Sequence, residues 1–307
     1  VRYTMDFAIM IEGQDGLTWA RWKRIVRAVE GLGFAGLYRS DHLTNPYPPD
    51  KEALELWASL TWLADNTQRI EFGPLVAPFS FRHPVITAWT ALAVDELSGG
   101  RLRLGVGAGW QEREHQKFGL PLLDPRRRFA RFREGLEVVY LLLRSSGPVD
   151  YAGQFYQLRE AQLLSGSPRK GTPAIVVGGN GPGVTLRLAA RYADEWNGVY
   201  ITAERFRELN ALLDTYLVEA GRRPGDVKRT LMTGTVFHRT DAGLRERLAG
   251  RDPLQLRQRG VLVGTPSALA EQVAELEEAG VQRLMLQWLY LDDMENLEAL
   301  AQAVVGQ

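Results

Sequence analysis

Few residue types in this chain can do chemistry. It holds four histidines and no cysteine, which removes thiolate zinc sites, disulfides and cysteine nucleophiles at once. The histidines are scattered without metal-ligand spacing, so no metal is expected. Ser40-Asp41-His42 is not a hydrolase triad, because neighbouring residues on a strand point to opposite faces. His42 does follow an apolar run, Ala35 to Arg39, at a position suited to a general acid or base, and an imidazole titrates near neutrality. A histidine that only satisfies a loop carbonyl is the competing interpretation.

Two glycine turns complete the candidate chemistry. Gly107-Ala108-Gly109 strips the backbone of side chains before Trp110, and Gly178-Gly179-Asn180-Gly181-Pro182-Gly183 follows a second apolar strand. Free backbone N–H groups at a strand-to-helix turn, aided by the helix dipole, favour an anion. Pro182 suits the first turn of the next helix, so the second stretch is the better phosphate site. An ordinary tight connection fits the glycines equally well. Neither stretch matches the dinucleotide fingerprint G-x-G-x-x-G convincingly. The bare Gly107–Gly109 turn then reads as a surface on which a flat ring can lie, with Trp110 as a wall.

Apolar runs with strand character occur at 3–11, 35–39, 69–77, 101–104, 173–177, 195–200, 228–238 and 283–290. Helical segments separate them, with Thr18 a candidate N-cap for the first. Eight such units in 307 residues without a linker predict one (β/α)8 barrel domain over 1–307. A doubly wound sheet is the competing arrangement. Two insertions are expected: a hairpin at VDYAGQFYQL after the long helix from Pro125, and an extra helical segment at 241–260 after strand seven.

Barrel chemistry sits at the C-terminal strand ends. In order these are Glu12, Asp41-His42, Leu75-Val76-Ala77-Pro78, the Trp110 turn, the Gly178 turn, Asn197 and Tyr200, His238, and Gln287 with Trp288. Glu12, Asn197, Tyr200 and Trp288 are the candidate substrate-pocket residues. Few polar groups, several apolar ones and two bare turns suit a flat, partly apolar, phosphate-bearing ligand.

Charges balance at 37 basic against 37 acidic residues, so composition offers no argument for nucleic acid or an anionic membrane. Arg126 to Arg133, followed by Glu134 and Glu137, reads as a solvated helix face. The start of the chain lacks a signal pattern and no window is apolar enough to span a membrane. A cytoplasmic enzyme is the expectation.

Three stretches resemble one family, the luciferase-like (bacterial luciferase-type) flavin and deazaflavin oxidoreductases. They are GFAGLYRSDHL at 33–43, FRHPVITAWTALAVDELSGGRLRLGVGAGWQEREHQKFGLP at 81–121, and VVGGNGPGVTLRLAARYADEWN at 176–197. The last is most similar to the branch that uses coenzyme F420; FMN, in a monooxygenase using reduced flavin and O2, is the alternative. The resemblance implies a small-molecule substrate, hydride transfer to or from the ring, and His42 near the reacting carbon. It also implies that Asp41, Ala108, Gly109 and Trp110 border the ring. Leu75-Val76 falls on a non-proline cis peptide behind the ring, and Gly178, Gly179, Asn180 and Gly181 on the phosphate turn. A homodimer or larger assembly is implied, with the Trp57 and Trp62 segment apolar enough to take part. Trp110 departs from the sugar-phosphate dehydrogenase branch, where a glutamate follows this turn. No lysine follows Asn197-Gly198-Val199-Tyr200 to grip a substrate phosphate.

Overall fold

The computed structural model describes residues 3–164 and 172–306. Of the irregular stretch expected at 147–173, residues 165–171 lie outside the described residues. Strand β1 (Asp6–Ile11) leads to helix α1 (Trp19–Gly31), and β2 (Gly36–Arg39) to α2 (Leu56–Asn66). β3 (Glu71–Pro74), with its continuation β4 (Ala77–Pro78), leads to α3 (Pro84–Leu97). β5 (Arg103–Gly107) is followed by α4 (Glu112–Phe118), α5 (Pro125–Arg144) and the hairpin β6 (Val149–Ala152) and β7 (Gln157–Ala161). β8 (Ala174–Gly178), α6 (Thr185–Tyr192), β9 (Glu195–Val199) and α7 (Ala203–Glu219) restore the alternation. β10 (Lys228–Phe237) carries α8 (Asp241–Leu248), α9 (Pro253–Gln258), β11 (Leu262–Gly264) and α10 (Pro266–Glu278). β12 (Arg283–Gln287) and α11 (Met294–Val304) close the chain.

The strands pair in parallel in the order β3-β2-β1-β12-β10-β9-β8-β5. β4 pairs with β5, and a parallel bridge between Phe72 and Leu102 joins the ends of the sheet into the expected (β/α)8 barrel. Apolar side chains on the outer strand faces meet the apolar stripes of the helices, as Trp22, Ile25, Val26 and Val29 do on α1. Thr18 caps that helix by accepting from the Arg21 amide at 3.4 Å. A smaller core of Ala8, Met10, Tyr38, Leu75, Val176, Met232 and Met285 fills the barrel itself.

Beneath that core lies a layer of charge, supplied by the first residue of six strands: Asp6, Glu71, Arg103, Glu195, Lys228 and Arg283. Arg283 is central. It donates to Tyr38 Oη at 2.7 Å and to Asp6 at 3.1 Å, and is ion-paired with Glu71 at 2.5 Å. Glu195 lies 3.9 Å away.

Two local expectations are revised, and one helix start has a clear cause. Helix α2 starts only at Leu56, because Gly13, Gly16 and Arg39 hold the preceding residues extended. Gly16 N–H donates to Glu52 O and Leu54 N–H to Gly13 O, while the Arg39 guanidinium donates to Leu54 O and Glu55 O. The 241–260 insertion splits into α8 and α9 at Ala249, which has a positive φ of 49°. The short strand β11 follows and pairs with the end of β10. Glu134 is not on a solvated face. It is buried, and its carboxylate accepts from the amides of Gln154, Phe155 and Tyr156, pinning the β6–β7 hairpin to α5.

Candidate functional site

The cavity at the C-terminal mouth of the barrel has a volume of about 880 Å³, within the range of small-molecule and cofactor sites. Its floor is the apolar trio Met10, Leu75 and Met232 together with Val76. Asp41, His42, Glu12, Tyr200 and Asn197 supply the polar groups expected on its wall, and Gly109, Trp110, Gly178 and Gly179 border it.

His42 has a partner that sequence did not single out. Its Nδ1 lies 2.8 Å from Glu114 Oε1, and the other Glu114 oxygen accepts from the Leu43 amide at 2.8 Å. A carboxylate only accepts, so Nδ1 carries a proton and Nε2 is the free ring nitrogen. Burial disfavours the charged imidazole, but the Glu114 hydrogen bond and charge, with Glu12 and Asp41 beyond, outweigh it. The His42 pKa is raised. For Glu114 burial acts upward, yet His42 and the Leu43 amide pull its pKa below the usual value. Trp110 meets the His42 ring edge to face, with centroids 5.6 Å apart. Asp41, buried beside them, is ion-paired to Arg82, which also bonds Glu55 at 2.8 Å.

The glycines of the Arg101–Trp110 stretch have a packing cause that the sequence did not show. A Cβ on Gly107 would lie 2.4 Å from Val76 Cγ2, and one on Gly109 2.2 Å from Ser80 Oγ. The Val76–Ser80 segment presses against this stretch, and that contact by itself requires it to be bare. Gly109 alone of the three still borders the cavity. The Leu75–Val76 peptide in that neighbouring segment is cis, as the resemblance implied.

Gly178 and Gly179 open onto the cavity, whereas Ala108, Asn180 and Gly181 do not line it. The Asn180 side chain is spent on the backbone: its amide donates to Val199 O at 2.6 Å and its oxygen accepts from Val199 N–H at 2.9 Å. This holds the turn against β9. The amides of Gly181, Gly183 and Val184, ahead of α6, have no partner within the described protein, so the turn does present donors suited to an anion.

Two rim positions are corrected. Trp288 is fully buried outside the barrel, its indole N–H donating to Tyr290 O at 2.9 Å and its ring covered by Arg247. Its neighbours Gln287 and Leu289 line the cavity instead, as strand alternation requires. His238 also misses the rim. β10 runs beyond the barrel to pair with β11, so Met232 is its residue at the cavity, and His238 Nδ1 accepts from the Thr240 amide.

Glu114, Gln14 and Ser40 are the functional-looking residues that strand-end reading left out, and Gln287 stood on that circuit without being chosen for the pocket. The first lies on a helix after the glycine turn, where nothing in the sequence distinguishes it from Glu112. The loop residues Pro46, Tyr47 and Lys51 roof the cavity, and Lys51 is paired with Asp15 at 2.6 Å. Among the described residues, no group of three or more acidic or histidine side chains could hold a metal, and no helix is long and apolar enough to cross a membrane.

Comparison with known proteins bears on this geometry. A family model described as luciferase-like monooxygenase matches residues 5–254. An F420-dependent glucose-6-phosphate dehydrogenase of Kineococcus radiotolerans is 27% identical, over 90% of this chain and 81% of its own. A 4-hydroxyprotoasukamycin monooxygenase of Streptomyces nodosus subsp. asukaensis is 35% identical over 59% of this chain, which spans only 47% of that relative. Among solved structures, an F420-dependent secondary alcohol dehydrogenase in complex with an F420-acetone adduct superposes with a TM-score of 0.84 over 98% of both chains, at 17% identity. That last likeness is one of fold.

Proposed function

The chain belongs to the luciferase-like monooxygenase family, and from that premise we propose that it is a coenzyme F420-dependent oxidoreductase. It would move a hydride between the deazaflavin and a small organic substrate held at the barrel mouth. The observation that carries this is the His42–Glu114 pair, set in an apolar cavity that opens beside a turn with unpartnered amides. The residues present fit such a coenzyme. Leu75, Val76 and Met232 offer an apolar bed for a flat ring, and Gly178–Gly181 with the start of α6 offer donors to a phosphate. When bound, the deazaflavin supplies a two-electron hydride acceptor or donor. His42 Nε2 is placed to give a proton to, or take one from, the substrate oxygen or carbon as the hydride moves.

A sugar phosphate suits this mouth poorly. Lys51 and Arg82, the cations at hand, are already neutralised by Asp15, Asp41 and Glu55. Reduction of a carbonyl or unsaturated compound, or oxidation of an unphosphorylated alcohol, fits better. Titration with F420 and with FMN, followed by fluorescence quenching, tests the coenzyme. F420 is expected to bind tightly and FMN weakly. Tight FMN binding with none of F420 would replace this reading by a flavin monooxygenase using O2; the Streptomyces relative is named a monooxygenase.

The assembly proposed is a homodimer, through a surface other than the one expected. Trp57 is buried and Trp62 half-buried against the core, so they offer little free apolar surface. Helix α3 offers more: Ile86, Trp89, Ala93 and Leu97 lie along one exposed stripe, with Trp89 61% exposed. Such a stripe on a helix is a candidate interface. Light scattering should find a dimer for the wild type and a monomer for Trp89→Lys. A monomeric wild type refutes it.

A further inference from the structure

The wall of the cavity formed by β1, β9 and β12 carries a chain of hydrogen bonds whose direction is fixed. Gln287 Nε2 donates to Glu12 Oε1 at 2.6 Å, and Gln14 Nε2 donates to Glu12 Oε2 at 3.0 Å. A carboxylate accepts only, so both amides must turn their NH2 groups toward Glu12 and their oxygens away. The Gln287 oxygen therefore accepts from the Tyr200 hydroxyl, and the Gln14 oxygen accepts from Ser40 Oγ at 2.7 Å. Ser40, buried, has its proton on Gln14 and its oxygen turned to the Gly13 amide at 2.9 Å. For Tyr200 the only proton is committed to Gln287, and what remains for the cavity is its oxygen lone pairs.

The placement of Tyr200 is built. It has a positive φ of 50°, and its ring lies where a Cβ on Gly234 would approach within 3.0 Å. The ring lines the cavity. Burial and the nearby Glu12 raise its pKa to about 12, so it stays a neutral phenol. The mouth thus presents two complementary polar groups. The free nitrogen of His42 serves a reacting oxygen, and the Tyr200 oxygen accepts from something else.

We propose that Tyr200 is a specificity residue that recognises a hydrogen-bond donor on the substrate, so the preferred substrates are uncharged compounds bearing a hydroxyl or N–H group apart from the reacting carbon. The inference rests on the cavity being the substrate site, as proposed above. Anions are disfavoured, because Glu12 in the same cavity is held by neutral amides and the lysine there is already paired with Asp15.

The test measures binding of two probes, 4-hydroxycyclohex-2-enone and its 4-methoxy ether, to the whole protein by tryptophan fluorescence. No turnover is required, and each titration is run with and without F420. Wild type should bind the hydroxy compound about tenfold more tightly than the ether, the equivalent of one hydrogen bond of about 1.4 kcal/mol. Tyr200→Phe should abolish the difference by weakening the hydroxy compound alone. Gln287→Met, which frees the Tyr200 proton to turn into the cavity, should narrow it. Equal wild-type affinities, an undetectable affinity for both, or a preference that survives Tyr200→Phe overturns the proposal. Failure of F420 to bind while the probes behave as expected overturns the coenzyme assignment alone.

Discussion

His42→Ala is expected to lower kcat/KM by about 10²- to 10⁴-fold, the range that a positioned general acid or base contributes, while changing F420 affinity only a few-fold. The proposed bed for the ring is Leu75, Val76 and Met232, which line the same cavity, whereas the role proposed for the histidine is a proton site. Its partner gives a sharper result. Glu114 holds the imidazole in one tautomer and favours its charged form against burial. Glu114→Gln keeps the shape and removes the charge, so the His42 pKa falls and any rate that needs the imidazolium declines at a lower pH than in wild type. The pair also has a stability signature. A histidine with a raised folded pKa stabilises fully below its unfolded value of about 6.5, and that contribution fades as pH rises through the folded value. A glutamate with a depressed pKa stabilises above about 4.3 and loses this as pH falls through its folded value. The two overlap between about 4.3 and somewhat above 6.5, the window in which Glu114→Gln should cost most in urea unfolding. A His42→Ala enzyme that transfers hydride at the wild-type rate would leave the cavity as a binding site without this acid or base.

What could be read in advance follows from how local each cause is. The eight strands announced themselves because each is an apolar run closed by a turn residue, and barrel order follows chain order. Asp41, His42, Glu12 and Tyr200 were legible for the same reason: they stand at or just past the end of an apolar strand. Non-local causes were hidden. Nothing near Gly107 in sequence reveals that Val76 will press against it. Nothing near His42 points to Glu114, which arrives 72 residues later on a separate helix. His238 and Trp288 misled in two distinct ways. β10 overshoots the rim to serve β11, and β12 turns Trp288 outward while Gln287 points in. Counting to the end of an apolar run locates a strand but not the level at which the barrel stops.

The charged layer beneath the barrel core makes the largest stability prediction. Arg283→Met is expected to destabilise the fold by about 3–5 kcal/mol near pH 8, the cost of leaving buried partners of an ion pair uncompensated. Arg283 is almost wholly buried and is the shared partner of Asp6, Glu71 and Tyr38, with Glu195 close by. Burial raises the Glu195 pKa even with the arginine present. Glu71 is different: burial acts upward, but Arg103 and Arg283 together hold it below its ordinary value. Without Arg283, Glu71 keeps only Arg103 to hold it down, and the Glu195 carboxyl should titrate higher still in the folded than in the unfolded chain. Such a group costs stability above its folded pKa and ceases to do so below its unfolded value of about 4.3. The deficit of Arg283→Met should therefore shrink as pH is lowered from 8 toward 5. Adding Glu195→Gln to the variant should recover part of the loss at pH 8 and much less at pH 5. Urea unfolding of the wild type and these two variants at the two pH values checks this. A deficit below about 1 kcal/mol, the scale of an exposed ion pair, or one that does not change with pH, would show that water reaches this layer. The floor of the barrel would then be solvated in place of the buried electrostatic network that its geometry describes.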